Sequence, residues 1–276
     1  MQMQHDFLAD LQPKLAGDAR LLAAWLAGSF GRGSADRYSD IDLHLWLNDA
    51  GAFRRDAKEW LAALRPLVLY KLLFDGQMIN ALTADGLRID LWLHEAAPVL
   101  DPAQVKVLLD REGRLRLEAP PAAAPDPAQL AADLLAQIEE FWRCIALLPT
   151  VIGRSELLVS FTGLNVELGL ISEILMTGYG RPRDRGFKVL NAYLGDARRA
   201  ELEAALDLQG LNTESLVMAH MALAGVIRTH GPILAARHGF AYPQPLEDAV
   251  LRYVAQELHE VAWERPPFFA ESVKDD

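Results

Sequence analysis

Three aspartates are spaced so that their side chains could act on one reaction. Asp40 and Asp42 stand two residues apart in the alternating segment 40–47. On a strand, both carboxylates would leave the same face, roughly 6.5 Å apart. Asp90 is the lone carboxylate on the polar face of the apolar segment Leu87–Leu93. Carboxylate oxygens are the ligands that Mg²⁺ prefers, and paired ions can hold attacking and leaving oxygens in line. We therefore predict Asp40, Asp42 and Asp90 as catalytic residues and ligands of two Mg²⁺ ions, with Asp90 either a ligand or a general base.

A glycine-rich loop precedes this pair of acids, in the segment Ala27–Leu43 (AGSFGRGSADRYSDIDL). Gly28 has no side chain, so a phosphate group could approach its backbone closely. Ser29 offers a hydroxyl and a backbone N–H, and a helix beginning there would add an anion site. Arg32 either adds positive charge to this site or is an ordinary solvated arginine. Gly28, Ser29, Arg32 and Ser39 are our nucleotide-binding candidates in this loop.

The first half of the chain alternates between helical and strand patterns. It predicts a mixed small sheet with helices, in which residues 84–86 form a hairpin turn. Predicted helices are His5–Leu15 and Phe53–Leu64, and predicted strands are Leu21–Ala27, Asp40–Leu47, Leu67–Leu73, Gln77–Thr83 and Leu87–His94.

The second half reads as helical almost to its end, after a break rich in proline and alanine at residues 118–127. We predict an α+β domain at 1–117, a linker at 118–127 and an all-α helical bundle at 128–276. The predicted helices are Pro127–Leu148, Ser155–Met176, Phe187–Leu194, Arg198–Leu206, Thr213–His230 and Leu246–Trp263.

Composition restricts the class of partner. The formal net charge of −11 argues against binding to a nucleic-acid backbone, which needs clustered positive charge, and is compatible with a cationic small molecule. The single cysteine, Cys144, excludes an intrachain disulfide. The most apolar stretch, Leu157–Met176, carries Glu167 and Glu173, so we expect no membrane span. These features predict a soluble cytoplasmic protein; a homodimer is left open.

The motif GSFGRG…YSDIDL resembles the signature of the DNA polymerase β-like nucleotidyltransferases, in which Gly-Ser is followed by Asp-x-Asp. Within that superfamily, the layout resembles the antibiotic nucleotidyltransferases of the lincosamide and aminoglycoside types. The resemblance implies transfer of a nucleoside monophosphate, AMP from ATP or its equivalent from another triphosphate, to a hydroxyl of a small-molecule antibiotic, with release of pyrophosphate. It also implies that basic residues of the helical half steady the phosphates, and Arg154 and Lys188 are the candidates.

Residues of the acceptor site are harder to identify. His44 and Trp46 share the face of Asp42, and Trp92 shares that of Asp90, so they could line an acceptor pocket or equally pack under helices. Glu95 is a further acid near the end of that strand. Glu167 lies among apolar residues of the helical half, where an acid left unpaired without ligand would suit an amine-bearing acceptor.

Two other functions remain open at this point. One is a nucleotidyltransferase that modifies a protein or a tRNA, as in toxin–antitoxin systems. The other is an inactive relative that binds nucleotides, against which three converging acids argue.

Overall fold

The computed structural model describes residues 1–119, 121, 126–181 and 190–269. The chain forms two compact units, Met1–Ala123 and Ala124–Asp276. The first is an α+β unit and the second is helical, as the sequence predicted.

A six-stranded sheet forms the centre of the first unit. Its spatial order is β3-β4-β5-β2-β1-β7, and all neighbours are antiparallel except β2 and β5, which are parallel. A separate parallel pair consists of β6 and β8. The strands are β1 (Leu21–Leu26), β2 (Ile41–Leu47), β3 (Leu67–Leu73), β4 (Met78–Thr83), β5 (Arg88–His94), β6 (Val99–Leu100), β7 (Lys106–Asp110) and β8 (Arg116–Leu117).

One face of this sheet is the core of the unit. Alternate residues of the central strands, such as Ile41, Leu43 and Ile89, are fully buried there. They pack with side chains of the helices α1 (Gln2–Gly17) and α3 (Ala50–Ala62), including Phe7 and Phe53. A single turn, α2 (Gly28–Gly31), follows β1. Because side chains alternate along a strand, burial of these apolar residues turns the residues between them towards the opposite face.

The edge strand β7 was not predicted, since residues 106–110 have no nearby partner in sequence. They pair with β1, 80 or more residues earlier in the chain, and complete the sheet on that side.

The second unit consists of helices around one apolar cluster that includes Phe141, Trp142 and Ile171. Its helices are α4 (Pro127–Ile145), α5 (Leu148–Gly153), α6 (Leu157–Gly178), α7 (Asn191–Leu194), α8 (Asp196–Ala205), α9 (Thr213–His238) and α10 (Gln244–Glu257). Part of the predicted helix Phe187–Leu194 lies outside the described residues.

Two prolines act differently from the prediction. The predicted helix Pro127–Leu148 ends at Ile145, and Pro149 lies in the first turn of α5, because a proline ring clashes with the carbonyl four residues earlier. Helix α9, in contrast, passes through Pro232 and continues to His238. Leu234 and Ala235, beyond the proline, are buried, so packing outweighs the roughly 3 kcal/mol that an internal proline costs. The predicted stop at His230 was therefore wrong.

The predicted helix Leu246–Trp263 also differs at its end. Helix α10 stops at Glu257, and the indole N–H of Trp263 donates to the carbonyl of Leu258 at 3.3 Å. That bond satisfies a carbonyl beyond the last turn.

Helix α6 is long and apolar enough to cross a membrane by length and composition, although core helices of soluble proteins pass the same test.

Helix α6 also carries a buried polar network. Ser160 Oγ and His220 Nε2 are 3.0 Å apart, and His220 Nδ1 lies 2.7 Å from Glu167 Oε2. Burial raises the pKa of the Glu167 carboxyl, while the contact with His220 acts in the opposite direction. Glu167 is therefore buried, as predicted, but it is paired within the helical unit.

We predict that Glu167→Ala lowers the free energy of unfolding by about 1–3 kcal/mol, because it leaves the buried His220 ring without its carboxylate partner. Chemical denaturation followed by circular dichroism measures the change. Glu139→Ala, on the exposed surface of α4, is the control. Equal stability of the two variants would contradict a stabilising role for the network.

Candidate active site

Strands β2 and β5 bring two of the predicted acids together. In their parallel register Asp42 is the direct partner of Asp90, and the preceding residues Ile41 and Ile89 are partners as well. Both isoleucines are fully buried, so the two aspartates lie together on the opposite face. Neighbouring strands lie about 4.8 Å apart, which places the carboxylates side by side.

The glycine-rich loop touches one of these carboxylates. The N–H of Ala27 donates to the carbonyl of Asp42 at 2.9 Å, which fixes the loop against β2. Gly28 has a φ of +58°, and a Cβ at this position would stand 1.8 Å from Asp42 Oδ2. Only glycine fits both the backbone conformation and the space. The backbone of the loop and the carboxylate of Asp42 therefore form one surface.

The loop also carries two buried polar atoms. Ser29 Oγ and Arg32 Nε are buried, and neither has a hydrogen-bond partner among the described residues. Buried polar groups are nearly always hydrogen-bonded, so such exceptions require an explanation. Phosphate oxygens are hydrogen-bond acceptors of the kind that both groups lack. This pair of atoms fits the predicted nucleotide contacts of the loop.

The third acid, Asp40, stands immediately before β2 and is held by a different contact. Its Oδ2 lies 4.0 Å from Arg88 Nη2, and its side chain is only 16% exposed. Ser39 uses its hydroxyl locally: it accepts from the N–H of Asp36 at 2.9 Å and donates to the Asp36 carboxylate. Ser39 thus shapes the turn that delivers Asp40.

Asn80 belongs to this site and was missed by the sequence analysis. Its Nδ2 donates to Asp90 Oδ1 at 2.6 Å, from the neighbouring strand β4. The signal was present, because the predicted hairpin at residues 84–86 sets the register of β4 and β5 and places Asn80 opposite Asp90. This bond orients the Asp90 carboxylate.

Among the described residues, no group of three histidine, cysteine or acidic side chains forms a ready-made metal site. Like charges repel, and in this structure Asp40 faces Arg88 while Asp90 accepts from Asn80. The oxygen donors of Asp40, Asp42 and Asp90 nevertheless suit Mg²⁺ by their chemistry, and Asp42 and Asp90 are adjacent in register.

Two of the predicted acceptor residues on these strands, His44 and Trp92, belong to a stack of rings. His44 lies between Trp25 and Trp92, with ring centroids 5.3 and 6.0 Å apart. His94 Nε2 stands 2.9 Å from His44 Nδ1. The far end of the stack is Phe74, 5.5 Å from Trp92 and 64% exposed.

The two histidines of this stack are neutral near pH 7. Burial, together with the neighbouring His94, lowers the pKa of His44 to about 4. Burial also lowers the pKa of His94. The stack therefore presents aromatic faces next to the acids without adding positive charge to them.

Trp46 and Glu95, the remaining candidates of the first unit, lie farther along the chain from the aspartates. Trp46 is buried against Ala23 and Trp25, and its indole N–H donates to the carbonyl of Glu95 at 3.2 Å. The side chain of Glu95 is exposed, roughly 16 Å along the strand from Asp90. In the helical unit, Arg154 is exposed after α5 and Lys188 lies outside the described residues.

Comparisons with known proteins address the family. A model of the streptomycin adenylyltransferase family matches residues 14–257. No characterised protein sequence gives a significant match. One similar solved structure is an aminoglycoside 6-adenyltransferase from Bacillus subtilis, at 14% identity and a TM-score of 0.42, covering 92% of this chain and 96% of the other.

The family match spans both units, including the loop, the three acids and most of the helical half. The match agrees with the resemblance of the sequence motif to nucleotidyltransferases of the aminoglycoside type. Enzymes of this class use a nucleoside triphosphate as co-substrate. The chain belongs to the streptomycin adenylyltransferase family and is an adenylyltransferase.

Proposed function

We propose that this enzyme transfers AMP from ATP to a hydroxyl of an aminoglycoside and releases pyrophosphate. The observation that carries the proposal is the pairing of Asp42 with Asp90 on parallel strands, with the backbone of Gly28 against Asp42. This arrangement joins an anion-binding loop to two adjacent carboxylates. Nucleotidyl transfer needs both, since a triphosphate must be held while a hydroxyl is activated.

In the proposed reaction, the acceptor hydroxyl loses its proton to Asp90. Its oxygen forms a bond to the α-phosphorus of ATP, the bond from that phosphorus to the bridging oxygen breaks, and pyrophosphate leaves. Asn80 holds Asp90 Oδ1, so Oδ2 is the oxygen that would take the proton. Gly28, Ser29 and Arg32 would hold the phosphates.

Asp40, Asp42 and Asp90 would hold the metal. When bound, two Mg²⁺ ions would neutralise the phosphate oxygens and the charge that develops on the leaving group. Asp40 would need to share its carboxylate between the metal and Arg88, from which it is 4.0 Å distant.

An aminoglycoside suits the electrostatics of the chain. Its amines are cationic at neutral pH, whereas the chain carries a net charge of −11. Opposite charge raises the encounter rate and favours such an acceptor over a nucleic acid. Because the matching family is named for streptomycin, we propose streptomycin as the acceptor ahead of a lincosamide.

Several further points belong to the same proposal. The catalytic domain would span residues 1–117, the linker 118–127 and the helical domain 128–276. The protein would be soluble and cytoplasmic, with α6 as a core helix, and would act on a small molecule with no membrane partner. Arg154 and Lys188 remain candidates for phosphate contacts, and His44, Trp92 and Glu95 for acceptor contacts, whereas Trp46 and Glu167 are buried against partners within their own units.

We predict that the purified protein, with Mg²⁺ and ATP, adds one adenylyl group to streptomycin, which mass spectrometry of the antibiotic detects. Asp42→Asn and Asp90→Asn should each lower kcat at least about 100-fold, because each removes a carboxylate from the reacting centre. Asp133→Asn, on the exposed surface of α4, should retain activity.

The assay should include other aminoglycosides, a lincosamide and the other nucleoside triphosphates. Turnover that persists in Asp42→Asn would contradict the assigned centre. If no small acceptor is adenylylated although the protein binds ATP, a macromolecule would be the better candidate for the substrate. Loss of ATP binding as well would indicate an inactive relative.

Asn80 gives a sharper test of the orientation of Asp90. Asn80→Ala should lower kcat about tenfold or more with little change in the KM for ATP, because a carboxylate released from its hydrogen bond spends less time in the reactive position. Asn80→Asp places a second carboxylate against Asp90 and should lower kcat further.

The matched control is Asn165→Ala, on the exposed face of α6, with steady-state kinetics as the measurement. A kcat in Asn80→Asp equal to that of the control would show that Asp90 needs no support from β4.

A further inference from the structure

A second positively charged feature lies beside the acids, separate from the glycine-rich loop. A cavity of about 400 Å³ opens between the N-terminal part of α1, the turn before β2 and the start of β5. Its charged lining residues are Arg37 and Arg88, and none of the described residues that line it is acidic. In a chain with a net charge of −11, a pocket whose charges are all positive is unexpected and indicates an anionic ligand.

The walls of this cavity are held in place by hydrogen bonds. Gln4 is 2% exposed, and its Nε2 donates to the carbonyls of Arg37 at 3.0 Å and Ser39 at 3.2 Å. Asp36 accepts from the N–H of Tyr38 at 2.8 Å. A buried side chain on α1 thus fixes the turn that carries Arg37. Such pre-organisation lowers the entropy that a bound ligand must overcome.

The two guanidinium groups are anchored to the same tyrosine. Arg88 Nη2 donates to the carbonyl of Tyr38 at 2.9 Å. The guanidinium of Arg37 lies over the ring of Tyr38, 4.4 Å from its centroid, and donates to the Tyr38 hydroxyl. Each group keeps further N–H donors, because guanidinium has five. Paired N–H donors in a fixed plane are the geometry that recognises phosphate oxygens.

The position of Arg88 connects this cavity to the reacting centre. Arg88 precedes Asp90 by two residues on β5 and therefore shares its face. Its Nη2 is 4.0 Å from Asp40 Oδ2. An anion held by Arg88 would accordingly lie beside Asp40.

We propose that the cavity between Arg37 and Arg88 binds a diphosphate group, and this rests on the proposed transfer from ATP. The group is either the β,γ end of the bound triphosphate or the pyrophosphate that has been released. The glycine-rich loop and this cavity would then hold phosphates on two sides of the aspartates. Arg37 and Arg88 are binding residues in this account, and neither takes part in proton transfer.

Calorimetric titration with inorganic pyrophosphate in the presence of Mg²⁺ tests this without any acceptor. We expect the wild-type protein to bind pyrophosphate more tightly than orthophosphate. Arg37→Gln and Arg88→Gln should each weaken binding about tenfold or more, and Arg88→Lys should retain part of it because it keeps the charge but loses the planar fork. Arg55→Gln, on the exposed surface of α3, should bind as the wild type does.

Kinetics then separate the two sources of the diphosphate. A raised KM for ATP in Arg37→Gln identifies the triphosphate end, whereas a raised inhibition constant for pyrophosphate alone identifies the released product. Arg37 is exposed, so its variant should fold, and circular dichroism checks this. Absence of pyrophosphate binding by the wild type, or equal binding by both arginine variants and Arg55→Gln, would overturn the proposal. Because pyrophosphate binding is measured without turnover, the result does not depend on whether any acceptor is adenylylated.

Discussion

The parallel pairing of β2 with β5 is the constraint on which the rest of this site depends. It is the one parallel contact in an otherwise antiparallel six-stranded sheet, and it sets Asp42 directly against Asp90. A register shift by one residue would turn the aspartates into the core and the isoleucines outwards. The fully buried side chains of Ile41, Leu43 and Ile89 hold the register, so the apolar face of the sheet determines the geometry of its polar face.

Placing carboxylates close together has an electrostatic cost, and it also needs space for their oxygens. Asn80 donates to Asp90, Arg88 faces Asp40, and the backbone of Gly28 lies against Asp42 where any side chain would collide. Each of these residues comes from a different element. The acids are therefore arranged by the assembled sheet, and a short motif alone would not arrange them. The glycine-rich loop follows the end of β1 and Asp42 lies near the start of β2, and these two strand ends meet because β1 and β2 are antiparallel.

Much of this could be predicted from the sequence, because alternation and helical periodicity report directly on burial. The five predicted strands and the faces of β2 and β5 agree with the structure, and so does the division into α+β and helical parts. The length of α9 and the edge strand β7 depended on tertiary packing, which local propensity does not contain. Partners were the hardest to foresee: His220 for Glu167 and Arg88 for Asp40 come from positions 53 and 48 residues away in the chain.

The central claim is that Asp42 and Asp90 form one metal-dependent reacting centre. Its most direct test is the position of Mn²⁺, a substitute for Mg²⁺, in crystals grown with a non-hydrolysable ATP analogue. Anomalous scattering locates the ion without reference to activity. The account predicts an ion within coordination distance of carboxylate oxygens of both Asp42 and Asp90, with the phosphates against Gly28 and Ser29. An ion bound elsewhere, or one that contacts neither aspartate while the nucleotide is in place, would contradict it.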